Sequence, residues 1–376
     1  MATLPFDPPV APMLAKPAGS EVPAPGTVDG GLLYEPKWDG FRALLFRGPD
    51  SVVIQPRRAG DLAYAFPEVV QAAAELLPPG TVVDGELVSA HDGRLWFEEL
   101  GLRLRPRSEA GGWKIAELAE QYPASYVAFD VLADRGEDLR EQPNQRRRQA
   151  LEALTTDWQG PFYRSPATTD PDLAREWFRD FEGAGLDGVI ARPSRAPYMA
   201  GKRTLLKVKH ARTADVVVAG WRPHKQPGPD GQPVVGSLLL GLYDGAGSLH
   251  HVGVAASFAA KRRAALVQEL APFADPDPDH HPWREWLAAA AGPSQRVPGA
   301  PSRWSGGKDL SWIPLRADLV AEVGYDHMEG SRFRHVASFK RWRPDRDPAS
   351  CSYEQLERPV RFDLGQVLGA GSTTGR

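Results

Sequence analysis

The segment 35–42, which reads EPKWDGFR, contains the residues best suited to covalent chemistry. Within it, Lys37 follows a short apolar stretch and precedes Asp39 and Gly40. A lysine amine is a nucleophile once it has lost its proton, and a glycine permits a tight turn that brings backbone close to a nucleotide. The pattern Lys-x-Asp-Gly also occurs in ordinary surface turns, so this segment by itself leaves two interpretations open.

Three later segments place a carboxylate or an aromatic ring in or beside an apolar strand. Glu86 lies in the stretch DGELV, where a buried carboxylate is costly unless it bonds to a partner such as a ribose hydroxyl or a metal ion. Phe129, in AFDV, presents a ring on which a purine can stack, although a strand phenylalanine is also an ordinary core residue. Asp187 opens the stretch DGVIAR and is suited to binding Mg²⁺.

Two basic segments complete the set. Lys207 and Lys209 alternate along the stretch KVK, so in a strand both ammonium groups point to one face and can flank a phosphate. The segment 339–346, FKRWRPDR, supplies a basic element towards the end of the chain. Three groups of arginines either form solvated surface or contact nucleic acid: Arg103, Arg105 and Arg107; the run 146–148; and the run 332–346.

Taken in order, these six segments resemble the motifs of the covalent nucleotidyltransferase superfamily, which contains ATP-dependent DNA ligases, RNA ligases and mRNA capping enzymes. The resemblance extends over residues 34–346. It implies an ATP-dependent DNA ligase in which Lys37 becomes adenylated, the AMP passes to a 5′-phosphate at a nick, and the neighbouring 3′-hydroxyl displaces it. It also implies ATP and Mg²⁺ or Mn²⁺ as cofactors and nicked double-stranded DNA as the partner.

The resemblance further implies roles for individual residues. The implied catalytic residues are Lys37, Asp39, Lys207 and Lys209. The implied nucleotide-binding residues are Glu35 for adenine, Arg42 and Glu86 for the ribose, Phe129 for base stacking, Lys207 and Lys209 for the α-phosphate, and Arg343, Asp345 and Arg346 for pyrophosphate. The implied metal ligands are Asp187 and Glu86. Arg57 matches a family arginine near the nucleotide, and the adjacent Arg58 fits the same pattern.

Two features bear on the subtype. Ligases of the superfamily usually carry glutamate where this chain has Asp187, whereas capping enzymes often carry aspartate there. The segments 221–223 (WRP) and 236–241 (GSLLLG) instead resemble the second domain of small bacterial ligases of the LigC type and of the ligase module of bacterial end-joining proteins. The alternatives that stay open are an RNA ligase, a capping-type guanylyltransferase and a catalytically inactive nucleic-acid-binding module.

Strands and helices must position these residues, and the hydrophobic pattern predicts an α+β fold. A nucleotidyltransferase domain is expected over 1–210, with strands at 32–34, 51–55, 82–89, 126–132, 188–191 and 205–208 and helices starting at Pro67 and Pro171. An OB-fold β-barrel domain is expected over 211–350, with strands at 215–221, 237–243, 250–254 and 318–323, a helix at 259–270 and a proline-rich insertion at 272–301. Little periodicity follows, so the tail 351–376 is expected to be loosely held.

Composition narrows the classes of protein. A chain of 376 residues exceeds what one hydrophobic core supports, and a net charge of −3 requires any nucleic-acid binding to use local basic surface. Cys351 is the only cysteine, which excludes a disulfide within the chain and disfavours NAD-dependent ligases, because their zinc finger needs several cysteines. His280 and His281 lack a partner at defined spacing, which disfavours a metal site there.

The absence of a long apolar run and of a signal-like N-terminus predicts a cytoplasmic protein. We expect a monomer that acts in DNA repair or recombination, with a primase-polymerase or a Ku-like protein as candidate partners.

Overall fold

The computed structural model describes residues 2–104, 112–275, 277–284, 311–357 and 360–370. The chain divides into two compact units, of which unit 1 comprises Met1–His210 and Pro359–Arg376 and unit 2 comprises Ala211–Arg358. Both units combine strands with helices, so the architecture is α+β, as the sequence predicts. None of the helices in the described ranges is both long enough and apolar enough to span a membrane.

The elements of the described residues are numbered in chain order. The strands are β1 (Leu14–Pro17), β2 (Leu32–Pro36), β3 (Phe41–Arg47), β4 (Val52–Pro56), β5 (Thr81–His91), β6 (Arg94–Leu95), β7 (Ala124–Asp134), β8 (Glu137–Asp138), β9 (Phe162–Arg164), β10 (Val189–Pro193), β11 (Arg203–Val208), β12 (Arg212–Pro223), β13 (Val235–Tyr243), β14 (Leu249–Ala255), β15 (Ile313–Pro314), β16 (Val320–Tyr325), β17 (Met328–Glu329), β18 (Arg332–Phe333) and β19 (Ser338–Trp342). The helices are α1 (Pro67–Leu76), α2 (Phe97–Arg103), α3 (Gly112–Gln121), α4 (Asn144–Leu154), α5 (Pro171–Asp180), α6 (Ala260–Leu270) and α7 (Leu364–Ala370).

The described strands of unit 1 form two sheets. The smaller sheet has the order β1-β11-β10-β2, and the larger runs β4-β3-β5-β7-β8, with β6 beside β5 and β9 beside β7. Only the pairs β1–β11 and β7–β9 are parallel among the described strands of this unit. The strand β2 ends directly before Lys37, and its partner β10 begins just after Asp187. The register of the two strands sets Pro36 opposite Val189, so Lys37 and Asp187 are held close together.

One buried apolar cluster joins the two sheets of unit 1. Leu44, Phe46 and Val82 from the larger sheet pack with Leu205 from the smaller one and with Met13. Alternate residues of a strand point to one face, so each strand contributes every second side chain to this core. The strands that carry the motif residues therefore pack on a hydrophobic core that both sheets share.

Two helices of unit 1 begin where the sequence predicts. Both α1 and α5 start with a proline in the first turn, where the missing N–H has no intrahelical acceptor in any case. Asp170 caps α5, because its side chain accepts a hydrogen bond from the backbone N–H of Asp172. Val69 and Ala73 of α1 pack against the larger sheet.

Unit 2 is built on one antiparallel sheet of order β14-β13-β12-β16-β19, with β15 beside β12. Ala255, at the end of β14, forms a parallel bridge with Ala337, which precedes β19, so the two edges of the sheet approach each other. Leu266 and Leu270 of α6 pack into the same core. The sequence predicts four of these strands and the helix, whereas β19 lies in a segment that the sequence identified only as basic.

The first part of the predicted proline-rich insertion contributes to the core of unit 2, while residues 285–310 lie outside the described ranges. His281 is buried, and its Nε2 donates to the carbonyls of Ala219 and Leu315 at 2.9 and 3.0 Å, while its Nδ1 accepts from the N–H of Trp283. His281 is therefore a satisfied core histidine. His280 is exposed and pairs with Asp277.

The C-terminal segment differs from the loosely held tail that the sequence predicts. Cys351 and Leu356 are buried in the core of unit 2. Leu364 and Val367 of α7 are buried in a cluster of unit 1 that also contains Trp38. A spacing of three residues places both α7 side chains on one face of the helix, which is enough to dock a short helix although it is too brief to register as a periodic pattern.

Candidate active site

The backbones of Lys37 and Asp187 are direct neighbours. The ladder between β2 and β10 continues beyond β2, since Lys37 N donates to Gly188 O at 2.8 Å and Asp187 N donates to Lys37 O at 2.9 Å. The side chains meet as well, with Nζ of Lys37 2.5 Å from Oδ2 of Asp187. The side chains are 21% and 11% exposed, which leaves the pair within reach of a ligand.

Lys209 contacts the same carboxylate oxygen. Its Nζ lies 2.9 Å from Oδ2 of Asp187. Burial alone would raise the pKa of Asp187, but the ammonium groups of Lys37 and Lys209 hold this pKa below its ordinary value. Asp187 is therefore a carboxylate at neutral pH and joins the two ammonium groups. Lys207 is partly buried on β11, opposite Ile190 of β10.

Two glycines allow the close backbone approach on which this geometry depends. A Cβ on Gly40 would lie 2.0 Å from the carbonyl oxygen of Leu87, so Gly40 is required by contact with β5 rather than by the tight turn that the sequence suggests. Gly188 has a φ of +124°, and a Cβ there would lie 2.0 Å from the carbonyl oxygen of Val208. A side chain at either position would displace the segment that carries Lys37 or Asp187.

Arg42 is fixed by a buried carboxylate. Its Nε and Nη2 donate to the two oxygens of Asp84 at 2.9 and 2.6 Å, and its Nη1 donates to Met13 O at 2.7 Å. The hydroxyl of Tyr198 donates to Asp84 at 2.7 Å. Although burial lowers it, the pKa of Arg42 is raised overall by Asp84, so the guanidinium stays charged.

Glu86 stands beside Arg42 across the β3–β5 ladder. Burial, reinforced by the nearby carboxylates of Asp39 and Asp84, raises the pKa of Glu86 to about 8, against the opposing effect of Lys37 and Arg42. A carboxyl group in this state needs a cation to become fully ionised at neutral pH. A metal ion can supply that charge.

Glu35 lies on β2 within a buried network of alternating charges. Its Oε2 accepts a hydrogen bond from Nε of Arg192 at 2.5 Å. Nη1 of Arg192 is 3.4 Å from Oδ2 of Asp130, and Nε of Arg147 donates to Oδ1 of Asp130 at 2.8 Å. Removing one member would leave an uncompensated buried charge, so the network fixes the position of Glu35.

Phe129 is 8% exposed and packs in the same cluster as Trp38. The guanidinium carbons of Arg42 and Arg192 lie 5.2 and 4.8 Å from its ring centre, which is cation–π distance. Trp38 is held by a hydrogen bond from its Nε1 to Oγ of Ser165 at 2.9 Å. The ring of Phe129 is thus packed beside two of the charged side chains described above.

Two further predicted residues, Arg57 and Arg58, are both exposed in the loop after β4. In unit 2, Nη1 of Arg343 is 3.0 Å from each oxygen of Asp215, and its Nε and Nη2 bond to Asp345. Nε of Arg346 is 3.6 Å from Oδ2 of Asp215. Asp345 and Asp215 therefore hold the two arginines as an ordered basic element.

Three of the arginines that were candidates for nucleic-acid contact, Arg103, Arg147 and Arg148, are structural. Arg103 is fully buried and pairs with Glu68. Arg147 and Arg148 are buried in α4, while their neighbour Arg146 is exposed. Arginine-rich sequence looks like solvated surface, but here the guanidinium groups face carboxylates and carbonyls inside the domain. Arg105 and Arg107 lie outside the described residues.

Sequence reasoning did not single out Arg192, Arg147 or Tyr198 as part of the site. For one residue of the network a signal was present: Asp130 stands within an apolar strand, where a carboxylate requires a partner. The partners themselves come from distant segments, and no local pattern indicates them.

Comparison with known families agrees with this geometry. Residues 12–209 match the family described as ATP dependent DNA ligase domain, and residues 231–346 match the family described as ATP dependent DNA ligase C terminal region. Together with the lysine–carboxylate site, these matches define an ATP-dependent enzyme that forms phosphodiester bonds. The chain belongs to the ATP-dependent DNA ligase family, and its fold is an adenylation domain followed by an OB-fold domain.

Individual relatives indicate which members of the family this chain is similar to. The chain is 50% identical over 357 residues to DNA ligase C2 of Mycolicibacterium smegmatis, covering 95% of this chain and 96% of the relative. It is 47% identical over 371 residues to DNA ligase C of Mycobacterium tuberculosis, covering 97% and 98%. A solved structure of a Lig E DNA ligase is similar in fold, with a TM-score of 0.53, 18% identity and coverage of 89% and 99%. The identity to these two DNA ligases favours the DNA ligase interpretation over the RNA ligase and capping-enzyme alternatives.

Proposed function

We propose that this protein seals nicks in double-stranded DNA and that Lys37 carries the AMP between ATP and the DNA. In the first step Nζ of Lys37 attacks the α-phosphorus of ATP. An N–P bond forms, and the bond from that phosphorus to the pyrophosphate oxygen breaks. The observation that carries the proposal is the contact between Lys37 and Asp187, with Lys209 on the same carboxylate oxygen.

The two later steps restore the lysine. An oxygen of the 5′-phosphate at the nick attacks the phosphorus of lysyl-AMP, a P–O bond forms, and the N–P bond breaks. The 3′-hydroxyl then attacks the 5′-phosphorus, loses its proton, and displaces AMP. Lys207 and Lys209 hold the α-phosphate through these steps, because fixed positive groups stabilise the charge that develops on its oxygens.

The donor set suits a divalent metal ion. No three His, Cys, Asp or Glu side chains of the described residues gather into a complete metal cage. Asp187 and Glu86 nevertheless fit Mg²⁺, which takes one or two protein carboxylates and completes its shell with phosphate oxygens and water. When bound, Mg²⁺ or Mn²⁺ would neutralise phosphate charge and polarise the reacting phosphorus.

Most of the proposed nucleotide contacts come from side chains around the sheets of unit 1. Phe129 stacks on the base, Glu35 accepts from the adenine amino group, and Arg42 and Glu86 bind the ribose. The bidentate hold of Asp84 on Arg42 supports this role, because a preformed guanidinium loses little freedom on binding. Asp39 acts with Lys37, Arg57 or Arg58 contacts the nucleotide, and Arg343 and Arg346 orient pyrophosphate.

The test is covalent labelling with ATP radiolabelled at the α-phosphate. Wild type should form an acid-labile, protein-bound AMP, whereas Lys37→Ala and Lys37→Arg should not, because a guanidinium stays protonated and cannot attack. Lys202→Ala, which removes an exposed lysine of the same unit, is the matched control and should label like wild type. Bound AMP in either Lys37 variant would contradict the proposal.

A second assay tests which polynucleotide and which nucleotide the enzyme uses. Nicked duplex DNA should be sealed in preference to the same duplex with RNA strands, and α-labelled GTP should not replace ATP. A protein that labels with GTP or seals only RNA would instead be a capping-type or RNA-joining enzyme. A repair role and the Ku-like or primase-polymerase partners stay predictions from the resemblance.

A further inference from the structure

Among the residues that the structure describes, one oxygen of the Glu35 carboxylate has no hydrogen-bond partner, although Glu35 is only 2% exposed. Oε2 is taken by Arg192, whereas Oε1 has only the guanidinium of Arg148 at 3.7 Å, beyond hydrogen-bond distance. A buried acceptor without a donor is costly, so such an atom points to a donor supplied by a ligand. The position of Glu35, two residues before Lys37 on the same strand face, directs it to the nucleotide side.

Arg192 is the main partner of this carboxylate. The two residues lie on the paired strands β2 and β10, where Glu35 stands opposite Ile190, two positions from Arg192 and on the same face. Arg192 also packs against Phe129, with its guanidinium carbon 4.8 Å from the ring centre. Arg192 therefore contacts both of the side chains that are proposed to touch the base.

The charge of Glu35 depends on its neighbours. Burial raises the pKa of Glu35 above its ordinary value overall, while Arg192 and then Arg148 lower it and Asp130 raises it further. Asp130 is itself paired with Arg147, which limits its repulsion. Without Arg192, burial would act against a weaker opposing charge, and Glu35 would take up a proton at a higher pH.

We propose that Arg192 sets the choice of nucleobase, by keeping Glu35 an ionised carboxylate that only accepts hydrogen bonds. The free Oε1 then accepts from the 6-amino group of adenine and repels the 6-oxo group of guanine or hypoxanthine. A protonated Glu35 would donate to a 6-oxo group, so loss of the charge removes the discrimination. This inference rests on the proposed function, in which Lys37 is labelled by a nucleotide. Arg192 acts through Glu35 and is a positioning residue.

The experiment measures labelling of Lys37 by α-labelled ATP and by inosine triphosphate, which carries a 6-oxo group in place of the amino group. Wild type should strongly prefer ATP, because a site built around a hydrogen bond rejects the analogue that lacks it. In Arg192→Met the ratio of the two labelling rates should fall by about tenfold to a hundredfold, the effect of one hydrogen bond to a charged group. Arg192→Lys keeps the charge and should keep most of the ratio.

Three controls separate this role from a structural one. Arg195→Met changes an exposed arginine three positions along and should leave the ratio unchanged. The ratio in Arg192→Met should shrink further as the pH falls from 8 to 6, whereas the wild-type ratio should stay flat. Glu35→Gln carries an amide that can donate to a 6-oxo group, so it should lose discrimination with Arg192 intact. If Arg192→Met does not fold, the labelling ratio of Glu35→Gln tests the proposal in its place.

The overturning results are distinct. Equal losses with ATP and inosine triphosphate in Arg192→Met would show that Arg192 only supports the fold. Unchanged discrimination in Glu35→Gln would show that the base is read elsewhere. If wild type shows no labelling with any nucleotide, the proposed function itself fails, which is a separate outcome.

Discussion

Nζ of Lys37 and Nζ of Lys209 bind one and the same oxygen of Asp187, at 2.5 and 2.9 Å. The carboxylate therefore holds both ammonium groups in place. In the proposed reaction, Lys37 must leave Asp187 before its Nζ can attack phosphorus. Asp187 and Glu86 would hold a divalent cation, whose charge would offset that of the carboxylate.

The length of the side chain at position 187 is predicted to matter little compared with its charge. Asp187→Glu should stay active, while Asp187→Ala should lose about 10² to 10³ in the rate of lysine adenylation, as removal of an electrostatic group commonly does. Single-turnover labelling at saturating ATP and Mg²⁺ measures this rate. Asp172→Ala, which alters an exposed carboxylate of α5, serves as control. Full activity in Asp187→Ala would place the metal elsewhere.

Arg343 is predicted to act only in the first step. Pyrophosphate leaves only during lysine adenylation, and misplacing it by about 1 Å can cost on the order of a hundredfold in rate. Arg343→Ala should therefore form little lysyl-AMP, yet seal a nick whose 5′-phosphate was adenylated beforehand. Arg341→Ala, at an exposed arginine of β19 paired with Glu322, is the matched variant. Normal labelling with impaired sealing that low salt restores would instead assign Arg343 to DNA phosphate.

Glu86 is predicted to make stability depend on pH. Its pKa is raised to about 8, above the ordinary 4.5, so the folded protein retains a proton that the unfolded chain releases between these values. The contribution to stability is fully present below pH 4.5 and is lost as the pH rises through 8. Without nucleotide or metal, the unfolding temperature of wild type relative to Glu86→Gln should fall steadily from pH 5 to pH 8. A constant difference across this range would refute the shifted pKa.

The docked helix α7 is predicted to support the site. Leu364 is 4% exposed and shares a cluster with Trp38 and Phe129. Leu364→Ala should destabilise unit 1 by about 2 kcal/mol through loss of packing, and it should slow labelling of Lys37. Gln366→Ala, on the exposed side of α7, should change stability by less than about 0.5 kcal/mol. Unchanged unfolding and labelling in Leu364→Ala would show that α7 is dispensable.

Local sequence pattern predicted most of the strands on which the site is built, but it missed β3, which carries Arg42. The strands that precede Lys37 and follow Asp187 were both recognised, because apolar residues bounded by turn signals reveal a strand without tertiary information. The start of α5 was recognised from its proline. By contrast, α4 was missed, because the residues it buries are Asn144, Arg147, Arg148 and Leu151, which do not form an apolar stripe.

The sequence by itself determined which residues are able to do the chemistry. They are a lysine close before Asp-Gly, carboxylates within apolar strands, and alternating lysines, in an order that resembles one superfamily. Which charges meet was decided only by the tertiary structure. Glu35 and Arg192 are 157 positions apart, and Lys37 and Asp187 are 150 apart. An ion pair of this kind leaves no local periodicity, because its partners are brought together by strand pairing and by the packing of a shared core.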